Sequence, residues 1–191
     1  MQKILKVTGV FAAAAILLTA GLGPASADTV NSTISGGTLT STTAAPTLSA
    51  VTLNATNTQT STGTSTEWTI KDARGTGAVW AVSVSATTLT SAAGTTETVA
   101  RTIAITNLTI TPGTVTAGSG ADTATGITAD ALALATTSQA LVSAAITHKG
   151  TYTLTPAFSL AIPANAFRSN FAVGSTGTQN PYTSTITYTI A

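Results

Sequence analysis

Over much of the chain apolar residues recur at every second position, as in strands that bury one face and wet the other. Trp80, Val82 and Val84 alternate with Ala81, Ser83 and Ser85. Tyr152 and Leu154 alternate with threonines, and Phe158, Leu160 and Ile162 keep that parity beyond Pro156. Tyr182, Ile186, Tyr188 and Ile190 alternate with Thr183, Thr185, Thr187 and Thr189, which makes this the cleanest predicted strand. Threonine suits the outer positions, because its β-branch favours extended backbone and its hydroxyl tolerates water without adding charge.

Other stretches break the rhythm. Between Ile103-Ile105 and Leu108-Ile110 the apolar parity flips across Thr106-Asn107, which predicts a bulge or a crossing between sheets. Residues 128–146 are rich enough in Ala and Leu for a helix, but Thr136-Thr137-Ser138 interrupts them and two short strands are the preferred reading. Residues 28–47 carry few apolar anchors and read as a Thr/Ser-rich lead-in or an edge strand. The expected fold is all-β, an antiparallel β-sandwich of the immunoglobulin-like, Greek-key type over residues 48–191. A transmembrane barrel would also alternate, but the short strands, irregular turn spacing and missing aromatic girdles count against one.

The first 27 residues differ in character. Lys3 and Lys6 give a positive start, Val7 to Leu22 is mostly apolar, and Ala25-Ser26-Ala27 supplies small residues before Asp28. This is the pattern of a secretory signal peptide. Removing 27 of the 191 residues leaves 164, with five positive and six negative side chains, so the slight basicity of the whole chain belongs to the leader. The remainder contains no span apolar enough for a transmembrane helix, and the end at Ala191 lacks the hydrophobic tail and basic terminus of a sorting signal, so covalent wall anchoring is not expected.

Composition narrows the chemistry. Thr (45) and Ser (17) together make up about a third of the chain, charged residues are 7%, and Cys is absent. The lack of Cys removes disulfides, thiolate metal sites and cysteine nucleophiles. Too few Lys and Arg remain for a nucleic-acid stripe. An exported chain of this size without cross-links must rely on burial and backbone pairing for its stability.

Two stretches carry a recognisable pattern. Trp68-Thr69-Ile70-Lys71-Asp72-Ala73-Arg74-Gly75-Thr76-Gly77-Ala78-Val79-Trp80-Ala81-Val82 joins two aromatic strands by a charged turn, in which two glycines permit left-handed backbone. It resembles the D-x-R-G-x-G-x-x-W-x-[LV] stretch of the WxL family of Gram-positive bacterial cell-surface proteins. The second, Tyr182 to Ile190, preceded by Leu160-Ala161-Ile162-Pro163-Ala164, is similar to the closing part of a WxL domain, with Tyr188 standing for the Trp and Ile190 for the Leu. Val82 replaces the more usual Leu of the first motif. The resemblance implies a non-enzymatic, secreted β-domain at the bacterial cell surface. Such a domain would be held non-covalently to the cell wall through peptidoglycan or another wall glycan, and would act beside other surface proteins or copies of itself.

The motif residues admit two readings. Trp68, Trp80, Tyr182 and Tyr188 can stack on sugar rings or fill a core that is otherwise short of large side chains; their shared parity with Val and Ile favours the core. Asp72 and Arg74 can brace their own turn or touch a ligand, with the brace preferred. His148, the only imidazole, stands before Lys149-Gly150 and is expected to be a solvated loop residue. The 122–130 stretch lacks the alternate-position ligands of a calcium loop, and no hydrolase, zinc or phosphate-loop motif occurs. No catalytic residue, metal or cofactor is assigned. The alternative to a wall-binding module is a subunit that assembles edge to edge into a surface layer or fibre, because scarce charge leaves strand edges weakly guarded and the Thr-rich N-terminal segment can pair with a neighbour's open sheet.

Overall fold

The computed structural model describes residues 29–191, so the expected signal peptide over 1–27 lies outside the described residues, as does Asp28. The chain divides into two units, Met1–Ile34 and Ser35–Ala191. In the first, residues 29–34 have no regular secondary structure, and Val30 and Ile34 are 95% and 94% exposed.

The second unit holds fourteen strands: β1 (Leu39–Thr42), β2 (Gln59–Thr64), β3 (Trp68–Asp72), β4 (Trp80–Ala86), β5 (Leu89–Ser91), β6 (Arg101–Ile103), β7 (Leu108–Thr111), β8 (Thr116–Ala117), β9 (Ile127–Ala129), β10 (Leu132–Ala133), β11 (Gln139–Ala144), β12 (Gly150–Leu154), β13 (Ala157–Ile162) and β14 (Ile186–Ile190). Every pairing is antiparallel, in the orders β1-β3-β12-β8, β10-β7-β13-β2, β14-β4-β11-β9 and β5-β6. The expectation of an all-β antiparallel sandwich is met. Among the described residues there is no α-helix, only a single 3-10 turn at Ile105–Asn107.

The four sheets are pieces of two kinked layers. In the first, β3 pairs with β12 up to Trp68↔Leu154, and β2 pairs with β13 from Thr64↔Ala157, so one long ribbon continues through a one-residue shift around 65–67. The second behaves alike: β14 pairs with β4 from Ile190↔Val82 to Ile186↔Ala86, and a bridge Thr90↔Thr183 carries the ladder on to β5. Extra residues of this kind bend a strand and increase its twist, which lets each layer wrap the shared interior. The parity flip at Thr106-Asn107 is the crossing itself, since β6 belongs to one layer, β7 to the other, and the 3-10 turn joins them. Residues 128–146 are extended and not helical, but they form parts of three strands, β9, β10 and β11, where two were expected.

Two aromatic pairs tie the layers together. Trp68 of β3 meets Tyr188 of β14 edge-on, with centroids 4.8 Å apart and planes at 75°, and Trp80 of β4 meets Tyr152 of β12 at 5.7 Å. Around them Ile70, Val82, Val84, Ile110, Val142 and Phe158 are buried. Along β4 burial alternates at every residue, as its sequence anticipates. The outer positions of β14 are threonines.

Candidate functional site

The first motif folds into a crossover between the layers. β3 ends at Asp72 in one layer, β4 starts at Trp80 in the other, and residues 73–79 make the connection. Asp72 is 2% exposed and accepts three hydrogen bonds from Arg74: from the backbone N–H and Nε to Oδ1, both at 3.0 Å, and from Nη2 to Oδ2 at 2.9 Å. The same Nη2 donates to the carbonyls of Ala78 (3.0 Å) and Val79 (3.2 Å), so one guanidinium fastens both ends of the crossing. Gly75 and Gly77 adopt φ of +73° and +65°, which glycine tolerates at little cost. The hydrogen bonds from the Arg74 side chain hold the Asp72 carboxyl below the usual carboxylate range, outweighing the opposing effect of burial.

A second crossover, from β11 to β12, packs beside the first. The Thr147 N–H donates to the Gly77 carbonyl (2.9 Å), and Trp80 Nε1 donates to the His148 carbonyl (3.1 Å). His148 itself is 7% exposed, with Nδ1 3.1 Å from the Thr123 carbonyl. The expectation of a solvated loop histidine is therefore corrected. The imidazole is enclosed because the 121–126 loop folds over it, with Gly126 leaving room beside the ring. Asp122 holds that loop down by accepting from the Lys149 N–H (2.8 Å) and Nζ (2.7 Å); its pKa is lowered, chiefly by the Lys149 side chain.

The second motif runs alongside the first. In the β14–β4 ladder Ile190 faces Val82 and Tyr188 faces Val84. The quoted residues thus fall into three places. Asp72, Arg74, Gly75 and Gly77 form the crossover; Trp68, Trp80, Val82, Tyr188 and Ile190 pack against the shared interior; Tyr182, half-buried, also packs against it, but at the groove, with its hydroxyl donating to the Phe167 carbonyl at 2.9 Å. The Trp68 and Trp80 rings offer no exposed face to a sugar, being 0% and 2% exposed.

Tyr188 carries a strain of its own. Its hydroxyl is buried and meets no hydrogen-bond partner among the described residues, and burial pushes its pKa up to about 12. An unpartnered buried hydroxyl costs about 1–3 kcal/mol, so Tyr188→Phe, which keeps the ring against Trp68, is expected to stabilise the fold by about 1 kcal/mol. Because the folded-state pKa lies above that of an unfolded tyrosine, near 10, the native protein also loses stability as pH rises from about 10 through about 12, a loss that phenylalanine at this position does not share. Urea unfolding at neutral and strongly alkaline pH checks both points: the variant should be more stable at neutrality and lose less in alkali.

At the other end of the sandwich the layers part around a groove of about 1230 Å3. One wall is the strap 45–53, held to β2 by Ser49 N–H donating to the Thr62 carbonyl (2.8 Å) and by the Ser61 hydroxyl donating to the Ser49 carbonyl. The floor includes Leu89, Ile103, Leu108, Phe158 and Leu160, and the opposite wall is Pro181 to Ser184 with Ile186. At its mouth Phe167 is 58% exposed beneath the Arg101 guanidinium, 3.9 Å from the ring centroid. Arg168 pairs with Glu97, and Asn170, 1% exposed, donates from Nδ2 to the carbonyls of Ala92 (3.0 Å) and Val99 (2.9 Å). Sequence reasoning did not single out this cluster. The available signal was that Glu97, Arg101 and Arg168 are three of very few charges in a nearly uncharged chain.

No protein-family model matches the chain, and no curated protein or solved structure is detectably similar to it.

Proposed function

We propose that the protein is a secreted, non-enzymatic module of the bacterial cell surface, similar to WxL domains, that associates non-covalently with the cell wall through peptidoglycan. One observation carries this reading. The two stretches that bear the WxL resemblance, about a hundred residues apart in sequence, are neighbouring strands whose motif positions face each other, Val82 against Ile190. A paired motif of this kind is what a shared fold signature requires, whereas two chance matches have no reason to meet.

With Trp68 and Trp80 inside, wall contact falls to other surfaces. The outer faces of the strands present threonine and serine hydroxyls, such as Thr187 and Thr189 of β14, and Phe167 with Tyr182 supplies an aromatic element at the groove mouth. Hydroxyls and aromatic rings of this sort suit the polar edges and apolar faces of sugars. The test is co-sedimentation with purified, protein-free peptidoglycan. Pelleting that persists at high salt is expected, since little charge is available to drive it; a protein that stays in the supernatant at every salt concentration defeats the reading.

The second reading, a self-assembling surface subunit, is favoured by the free edge of β14. Among the described residues that strand pairs with β4 alone, and no charged residue lies between Pro181 and Ala191 to discourage a further strand.

A further inference from the structure

We propose that the groove between the layers binds a long-chain fatty acid, with the alkyl chain on the apolar floor and the carboxylate held at the mouth by Arg101. This goes beyond the wall-binding reading and does not depend on it.

The groove has the form of a slot. One wall, the strap 45–53, runs antiparallel to β2: Ser65 Oγ donates to the Ala44 carbonyl (2.9 Å), the Ser49 N–H to the Thr62 carbonyl (2.8 Å) and Gln59 Nε2 to the Thr52 carbonyl (2.6 Å). Residues 59–65 of an extended chain span about 20 Å, so the wall is long enough to lie beside an extended ligand. The volume, about 1230 Å3, exceeds the roughly 300–1,000 Å3 of ordinary small-molecule sites.

The lining decides what kind of chain fits. Leu89, Ile103, Leu108, Phe158 and Leu160 form the floor. The hydroxyls of Ser61, Tyr182 and Ser184, which also line the groove, already donate to the carbonyls of Ser49, Phe167 and Thr87. A peptide or a sugar laid along this floor would bury amides or hydroxyls without partners, which is costly. A methylene chain carries no such groups, and every carbon it places on the floor leaves water favourably.

The mouth decides the head group. Side chains alternate along β6, so Arg101 shares a face with Ile103 of the floor while the exposed Thr102 points away. The Arg101 guanidinium therefore stands at the rim, 3.9 Å from the ring centroid of Phe167, which lines the groove. Burial raises the pKa of Tyr182 and the charge of Arg101 opposes that rise, so the guanidinium is close to the second wall as well. Among the described residues the ion pairs engage Arg74, Lys149 and Arg168, and none engages Arg101. Glu97 is taken up by Arg168 and by the Phe171 N–H (3.1 Å). An arginine without a counter-charge at the rim of an apolar slot is complemented by one anion, and a carboxylate matches the fork of the guanidinium.

The test uses the secreted chain and parinaric acid, a polyene fatty acid whose fluorescence rises in a dry site, kept below its micelle concentration. Saturable binding of one equivalent per chain is expected. Dodecanoate should displace the probe about tenfold better than dodecanol, the ratio expected for one charge-assisted hydrogen bond. In Arg101→Gln that preference should vanish, with dodecanol affinity and the thermal midpoint unchanged. Val51→Asp, which sets a charge on the strap wall, should weaken binding of acid and alcohol alike by roughly tenfold or more. A native chain that takes up no probe overturns the proposal, as does a folded Val51→Asp protein that binds like the native one. Equal affinity of the native chain for dodecanoate and dodecanol, or a stronger preference for dodecyl phosphate, overturns the assignment of a fatty acid.

Discussion

Trp80→Ala should cost about 3–5 kcal/mol of stability, the range for removing a large aromatic from a packed interior. For a domain of this size that lowers the thermal midpoint by roughly 6–20 °C, a large part of the usual folding margin of 5–15 kcal/mol. The side chain is 2% exposed, lies against Tyr152 in the opposite layer, and donates from Nε1 to the His148 carbonyl. Truncation therefore opens a cavity, breaks a contact between layers and strips a partner from the second crossover at once. Trp80→Phe, which keeps most of the ring but loses the donor, should cost less. Calorimetry on both variants separates packing from hydrogen bonding. A Trp80→Ala protein with a native midpoint and weakened peptidoglycan pelleting would instead mark the ring as a binding surface.

Asp72→Ala is expected to cost about 2–3 kcal/mol. Breaking a fully buried pair costs about 3–5 kcal/mol, but the Arg74 side chain is 25% exposed and can recover some hydration, which lowers the figure. What is lost is the anchor of the crossover: without the carboxylate, Arg74 has nothing to hold it between the end of β3 and the carbonyls of Ala78 and Val79. The effect depends on pH in a defined sense. The folded-state pKa of Asp72 lies below that of the unfolded chain, so its contribution is present above about pH 4 and declines as pH falls through the lowered folded value. Urea midpoints of the two proteins should differ most at neutrality and converge in strong acid. A constant gap across that range would mean that the carboxylate's charge is irrelevant to the turn.

What the sequence made legible was local. The alternation over 80–86 gives the burial of β4, residue by residue. The Asp-x-Arg-Gly-x-Gly spacing announces a braced turn, and that turn is observed, because an acid and a base two residues apart find each other whatever the rest of the chain does. Long-range facts were not legible in the same way. Nothing near His148 indicates that the 121–126 loop will close over it, since that depends on Asp122 meeting Lys149 across 27 positions. The strand expected over 182–190 forms its regular ladder only from Ile186, because the register shift beyond Ala86 hands the earlier residues to β5. The groove was invisible for a related reason: its walls come from 45–53, 158–162 and 181–186, and their parities look like those of any filled core. Periodicity reports which face of a strand turns inward, and cannot report whether the opposite layer arrives to cover it.

With Trp68 and Trp80 buried in the shared interior, the aromatic motif builds the fold and offers no ring face to a sugar. The chain has two tryptophans, Trp68 and Trp80, both in the motif, so its tryptophan emission reports on nothing else. The direct measurement is iodide quenching of that emission in the native protein, with and without soluble peptidoglycan fragments. Blue-shifted emission that resists iodide until the protein unfolds, and that fragments leave unchanged, is the expected result. Emission that iodide quenches readily in the folded state and that fragments protect would contradict the account.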